Sequence, residues 1–502
     1  MSEGVGARVA RAGLWLGPAA FALILVLPAP AGMGAAAHRV AALSVWMAAW
    51  WITTAVALEV TALLPIALLP LLGAGSIERA AAPYANSVVF LFLGGFFVAA
   101  ALERWSLHKR LAYGILALVG TDRRRVVLAF MLATGFLSMW ISNTAAAVMM
   151  LPMAMAVLGL ARETGAAGDP HATGGGSAPV VAGARRQSDG LGTALALGIA
   201  YSASIGGIGT LIGTPPNAIF AAAARQLYHA EIGFGAWMAT AVPTEIVLLL
   251  FAWLLLTRWL YPTAGAIPGL RARLRDERTA LGPLAGAERF VLVVFLLTAF
   301  AWIAREPKVL GAVTIPGLAT WLPGLSDAGI AVIAALVLFA VPTSLVRGGL
   351  ALDWASAQKV PWGILLLFGG GLSLADAFQS SGLSEWIGGL LTHFAGQPRV
   401  VVVFAVATLF IWLTEITSNT AIAAMAMPLL AGIAEGLGQP PLLLMRVAAL
   451  GTSMAFCLPV ATPPNALVFS TGRVTVLQMV RAGIWMNLAA MAAITILGTW
   501  FL

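Results

Sequence analysis

The sequence predicts an all-α polytopic membrane protein of about eleven transmembrane helices plus two re-entrant hairpins, arranged as an inverted repeat. Composition, an internal duplication and the distribution of positive charge carry that prediction. Of the 502 residues 60% are hydrophobic and only 10% are charged, against about 25% charged in soluble domains. Mean hydropathy is +0.94, and apolar runs approach or exceed the ~18 residues that suggest a membrane span. A soluble enzyme and a disordered chain are excluded. An outer-membrane barrel is excluded too, because its strands alternate apolar and polar residues whereas these segments are continuously apolar. The net charge of +8 is read as Lys and Arg gathered in cytoplasmic loops, not as a nucleic-acid surface. Cys457 is the single cysteine, so no internal disulfide can form.

Along the chain, Arg8 and Arg11 precede an apolar stretch at 14–28, followed by small residues up to Ala37. The pattern resembles a cleavable signal peptide. A chain with this many later spans needs none, so the stretch is expected to be a retained first helix with the N-terminus inside. Apolar segments follow at 40–56, 57–72 and 88–102, the first two forming a helical N-terminal region over 1–87. A first repeat over 88–262 is expected to hold a hairpin at 126–160, a Gly-rich flexible linker at 161–190, a broken helix at 191–224 and a helix at 240–262. Residues 263–287, with Arg271, Arg273, Arg275 and Arg278, read as a basic cytoplasmic linker. Helices are expected over 288–360, interrupted by a loop at 305–328. A second repeat over 361–502 holds a hairpin at 402–434, a broken helix at 443–470 and a last helix at 480–502.

The duplication is explicit. At a shift of 276 residues, Phe92-Leu93-Gly94-Gly95 falls on Phe368-Gly369-Gly370-Gly371, and Ser142-Asn143-Thr144 falls on Ser418-Asn419-Thr420. At a shift of 248, Thr214-Pro215-Pro216-Asn217 falls on Thr462-Pro463-Pro464-Asn465. The difference of 28 residues is about the length of the 161–190 linker. Charge gives the sense of the repeat. Residues 103–125 hold six basic residues and the equivalent 379–401 holds only Arg399, which places the two segments on opposite sides of the membrane. With the N-terminus inside, 21 of the 28 basic residues fall on the inner side. Inverted repeats of this kind characterise secondary transporters.

The motifs have a physical logic. Each arm of 126–160 is about sixteen residues, or ~24 Å of helix, short of a ~30 Å hydrocarbon core. The tip at Ser142-Asn143-Thr144 therefore lies inside the membrane, and 402–434 repeats the arrangement. Ser and Asn are N-cap residues, and a capped N-terminus draws anions. Ser and Asn oxygens, with carbonyls freed at a break, can hold a hard cation beside that anion. Pro-Pro breaks an interior helix and starts a new one, so the breaks are expected near Gly213 and Ala461, with four helix N-termini converging on one midplane site. None of the four motifs contains Lys or Arg. Glu59, Glu245 and Glu415 lie in or near apolar segments, where ionisable residues are functional candidates. Glu415 is expected to be structural, because its repeat partner is Met139 and the charge is not repeated. The five histidines have no metal-ligand spacing, and no HExxH, GxSxG or paired-aspartate motif marks an enzyme. Discontinuous helices in inverted repeats favour a carrier over a channel.

Doubled Ser-Asn-Thr hairpins with doubled Thr-Pro-Pro-Asn breaks resemble the divalent anion:sodium symporter family of dicarboxylate, citrate and sulfate carriers. The resemblance runs from the Trp50-Trp51 region to the end, and 61–72 is similar to the family's early helices. It implies a homodimer with early helices as scaffold, and hairpins with broken helices moving as an elevator-type transport domain. It implies sodium as the coupling ion, with no other cofactor, near Ser138, Ser142, Asn143 and Gly213 at a first site. A second sodium site is implied near Thr414, Thr417, Asn419 and Ala461. Asn143, Thr144, Thr214, Asn419, Thr420, Thr462 and Pro463 would meet the substrate carboxylates. The implied activity is sodium-coupled symport of a divalent anion. A C4-dicarboxylate such as succinate, malate or fumarate is favoured, because the sulfate carriers often add soluble domains. A sodium-independent exchanger and a sulfate, citrate or tartrate carrier are the alternatives.

Overall fold

The computed structural model describes residues 2–166, 181–284, 286–310, 313–342 and 349–500. Helix α1 (Ser2–Val26) lies along α2 (Ala35–Thr53). Gly17 brings it close enough that a Cβ there would stand 2.8 Å from the Trp46 ring, and Phe21 meets the same indole at 5.1 Å. The expected apolar segment 57–72 is not one helix. It splits into α3 (Leu58–Thr61) and α4 (Leu64–Leu71). Pro65 has no N–H to return to the Thr61 carbonyl, so the ladder stops and restarts. A short α5 (Ile77–Ala81) follows, its N-cap Ser76 accepting from Arg79 N at 3.3 Å.

The first repeat runs through α6 (Ser87–Arg104), α7 (Leu107–Val119), α8 (Arg123–Ser138), α9 (Asn143–Ala166), α10 (Val181–Gly207), α11 (Pro215–Tyr228) and α12 (Phe234–Leu254), the last continued by a π turn over Leu255–Leu260. Asn86 and Asp122 cap α6 and α8. The flexible linker expected over 161–190 is shortened from both ends, because α9 runs on to Ala166 and α10 begins at Val181; residues 167–180 lie outside the described residues. The basic linker 263–287 contains a helix, α13 (Leu270–Ala280), which packs on α7 through Leu270 and Leu274. Its Arg273–Glu277 pair at 2.8 Å has the i,i+4 spacing that supports a helix.

The second half holds α14 (Gly286–Ala304), a hairpin of β1 (Lys308–Leu310) and β2 (Val313–Ile315), α15 (Leu318–Trp321), α16 (Asp327–Ala340), α17 (Trp354–Ala357), α18 (Trp362–Ser381) and α19 (Leu383–Leu391). The loop expected over 305–328 is therefore partly ordered into the hairpin and α15. Then come α20 (Arg399–Thr414), α21 (Asn419–Gly436), α22 (Pro441–Gly451), α23 (Pro463–Ser470) and α24 (Val476–Trp500).

Among the described residues eight helices are long and apolar enough to cross a membrane. Shorter apolar helices, including Asp327–Ala340, Arg399–Thr414 and Pro441–Gly451, make up most of the remainder. Over Gly190–Gly207, α10 is buried on nearly every face, as a helix segment apolar all round must be. Small residues set the close approaches, since helices in lipid associate by backbone contact more than by apolar burial. A Cβ at Gly94 would overlap Ala331 of α16, and Gly388 of α19 fits against Gly432 and Gly436 of α21. Phe92 of α6 meets its repeat partner Phe368 of α18 edge to face, with centroids 5.0 Å apart. Equivalent positions thus touch where the two halves join.

Candidate functional site

Each half builds one polar cluster where a hairpin tip meets a broken helix. In the first, α8 ends at Ser138 and α9 restarts at Asn143, while α10 stops at Gly207 and α11 restarts at Pro215. Ser138 is fully buried and its Oγ lies 2.6 Å from the Ala203 carbonyl oxygen. One end of the Asn143 side-chain amide lies 2.8 Å from Ser138 Oγ and 3.2 Å from both the Ala203 and Gly213 carbonyl oxygens. With the NH₂ group at that end, the amide donates to all three oxygens. With the amide oxygen there, four oxygens face one another with a single hydroxyl proton among them, a donor set suited to a hard cation. The approach requires glycine: a Cβ on Gly213 would overlap the Gly207 carbonyl and press on that of Ser138, and one on Gly207 would overlap Asn143.

The second half repeats the chemistry. Thr414, also fully buried, lies with Oγ1 2.6 Å from Asn419 Oδ1 and 2.8 Å from the Thr452 carbonyl oxygen. One hydroxyl proton again faces two acceptors. The break here is longer, from Thr452 to Thr462, so Ala461 sits at its end and not at its centre. Gly213 likewise sits near the end of its 208–214 break.

Both breaks are held by the asparagine of the Thr-Pro-Pro-Asn motif. Asn217 Nδ2 donates to the carbonyls of Gly207 (3.1 Å), Ile208 (3.3 Å) and Thr210 (2.7 Å). Asn465 Nδ2 donates to those of Ala455 (3.2 Å) and Leu458 (3.0 Å). Ala455 and Leu458 are the 248-shifted equivalents of Gly207 and Thr210, so two of the three bonds recur at equivalent positions. In both copies Oδ1 is buried without a partner.

The remaining expected residues lie at or near the starts of α9, α11, α21 and α23. Ser142 caps α9, accepting from Ala145 N at 3.2 Å, and is exposed. Ser418 does the same for α21 at 3.4 Å. Thr417 Oγ1 donates to the Leu413 carbonyl at 2.6 Å, within its own chain turn. Thr462 caps α23 by accepting from Asn465 N at 3.3 Å, whereas buried Thr214 makes no such cap. Thr144 and Thr420 are half-buried in the first turns of α9 and α21, and Pro463 is exposed at the start of α23. The halves interlock: α23 packs on α9, and α11 packs on α21. A cavity of about 410 Å³ is lined by Ser142 and Ala145 together with Glu103, Arg104 and Lys359.

Glu415 is buried in the second cluster. Its carboxylate accepts from the backbone N–H groups of Phe456 (2.7 Å), Cys457 (3.0 Å) and Leu458 (3.3 Å), and from Asn487 Nδ2 of α24 (2.8 Å). The charge ties the unwound break to the hairpin tip. It is not repeated along the sequence, but a carboxylate does recur in space. Glu245 of α12 places Oε2 against Gly209, the equivalent of Cys457, where a Cβ would collide with it. That oxygen is buried with no partner. Ala203, Thr452, Asn217, Asn465 and Asn487 were not among the expected site residues. The repeated motif asparagine and a lone amide in an apolar last helix were the signals for three of them. The two carbonyl donors leave none, because any residue type supplies a carbonyl.

Comparisons with known proteins give the family. A family profile described as the sodium:sulfate symporter transmembrane region matches residues 10–502. The sodium-dependent dicarboxylate transporter SdcS of Staphylococcus saprophyticus is 40% identical over 486 residues, covering 96% of this chain and 90% of its own length. SdcS of Staphylococcus aureus is 38% identical over 480 residues, covering 95% and 88%. Among solved structures, the YdaH transporter of Alcanivorax borkumensis shares the fold with a TM-score of 0.50 at 16% identity, over 87% of this chain and 88% of that one. The chain belongs to the sodium:sulfate symporter family, a family of membrane carriers and not of enzymes.

Proposed function

We propose that this protein is a sodium-coupled symporter of a C4-dicarboxylate such as succinate, malate or fumarate. The observation that carries the reading is the pair of buried clusters that each gather a hydroxyl, an amide side chain and backbone carbonyl oxygens where a hairpin tip meets a helix break. Ser138 and Asn143 with the Ala203 and Gly213 carbonyls form one cluster, and Thr414 and Asn419 with the Thr452 carbonyl form the other. Each suits one sodium ion, with Ser142 and Thr417 at its edge and Ala461 in the second. Relatives that match nearly the whole chain carry the name sodium-dependent dicarboxylate transporter.

Asn143 and Asn419 stand at both functions, with the side chain on the cation and the helix N-terminus on the anion. A dianion between the tips would meet Asn143, Thr144, Thr214, Asn419, Thr420, Thr462 and Pro463. Since none of these is basic, the bound sodium ions and the helix dipoles supply the positive charge. This couples the ligands, because without sodium the dianion faces amides and hydroxyls alone. In the same reading the N-terminus is cytoplasmic, the chain crosses the membrane about eleven times, the early helices form a homodimer scaffold, and the hairpins with broken helices move as an elevator.

Radiolabelled succinate uptake into proteoliposomes tests this. Accumulation driven by an inward sodium gradient, and absent with potassium or choline, is the expected result. Uptake only into vesicles preloaded with succinate and indifferent to sodium would replace symport with exchange.

A further inference from the structure

The largest cavity described lies away from both clusters. It has a volume of about 1120 Å³ and sits between α7, the start of α8 and α13. Its wall carries Arg110, Arg125, Arg271, Arg275 and Arg278, and among the described residues no acidic side chain lines it. Arg110 is already engaged: it donates to the carbonyls of Leu281 and Gly282, both at 2.8 Å, and pairs with Glu288 at 2.8 Å. Among the described residues, Arg125, Arg271, Arg275 and Arg278 make no ion pair. The nearby acids do not serve them. Glu277 faces Arg273 and accepts from Tyr113 on the other side of α13, and exposed Asp276 is not part of the wall.

Four exposed guanidinium groups line one space, and a phosphate accepts forked hydrogen bonds from several at once. The wall also has an apolar side. Leu116, Leu274 and Leu284 line it, and Leu118 at its edge is 86% exposed. A free inorganic anion would use only the arginines, whereas a lipid would use both surfaces. We infer that this cavity binds the phosphate headgroup of an anionic phospholipid, with an acyl chain laid along Leu118. Positive charge gathered merely to orient the chain needs no cavity, yet these arginines come from two separated segments and line one. The equivalent second-half segment 379–401 holds only Arg399, so the site is no part of the repeated transport machinery.

The test uses the full-length protein purified in detergent and in nanodiscs. Native mass spectrometry and thermal unfolding would be followed with phosphatidylglycerol, with phosphatidylcholine, and with inorganic phosphate alone. Phosphatidylglycerol should stay bound and raise the melting temperature, and the other two should not. The triple variant Arg271→Gln, Arg275→Gln, Arg278→Gln should weaken that retention roughly a hundredfold. A control that removes three exposed charges elsewhere, Arg11→Gln, Arg258→Gln and Lys359→Gln, should retain the lipid. Equal retention by both triple variants would overturn the inference. A full shift from inorganic phosphate alone would also overturn it, leaving an anion site with no lipid. If the first triple variant does not fold, Arg125→Gln, outside α13, must weaken retention on its own.

Discussion

The two polar clusters share one plan but achieve it by different means. In the first, four glycines line the break: Gly206, Gly207, Gly209 and Gly213. Their equivalents in the second are Met454, Ala455, Cys457 and Ala461. Without side chains the first break folds tightly, and its N–H groups close local turns, as from Ile208 to Ile205 and Gly209 to Gly206. The second break is longer, and three of its N–H groups turn to Glu415. The first cluster is thus held by close backbone packing and the second by a buried carboxylate tether. Equal placement of oxygens across a pseudo-symmetric pair does not require equal sequence.

The largest effect should fall on what the clusters share. Asn143→Ala and Asn419→Ala each remove an amide proposed to meet both cation and anion, and should reduce succinate uptake on the order of a hundredfold while the protein still elutes as one species. Wild-type uptake in either would break the equivalence of the two halves. Next come the glycines. Gly213→Ala places a Cβ against the Gly207 and Ser138 carbonyls and should cost about 1–3 kcal/mol, seen as a fall of a few degrees in detergent melting. The reverse change, Ala461→Gly, should stay within about 1 kcal/mol. Equal effects at both positions would remove the packing distinction.

The carboxylates sharpen the comparison further. Glu415→Gln weakens an acceptor of three backbone N–H groups and one amide, and should destabilise by about 1–3 kcal/mol. Glu245→Gln should change the melting temperature least, by under about 0.5 kcal/mol, because its buried Oε2 has no partner to lose. Chemical unfolding of the two variants side by side would check the ranking, and a larger loss at Glu245 would contradict it.

Much of this was legible in the sequence. The hairpins were expected at 126–160 and 402–434, and the arms run over 123–166 and 399–436. Apolar length and capping residues act locally and leave a readable trace. Ser138 and Thr414 were expected beside Asn143 and Asn419, and both lie within hydrogen-bond distance of them. What escaped was non-local or type-blind. The Ala203 and Thr452 carbonyls belong to residues with no tell-tale side chain. Asn487 reaches Glu415 across 72 positions. The carboxylate near Gly209 comes from α12, not from the hairpin, so a comparison by sequence shift could not pair it with Glu415. Pro65 splits 57–72 through the backbone without interrupting its apolar run.

The central claim is that each cluster holds one sodium ion. The most direct measurement is the sodium activation curve of succinate uptake for the wild type, Ser138→Ala and Thr414→Ala in the same proteoliposomes. The account predicts a sigmoidal wild-type curve and, in each variant, a shallower rise with its midpoint at higher sodium. Curves that overlay the wild type in steepness and midpoint, for both variants, would contradict it.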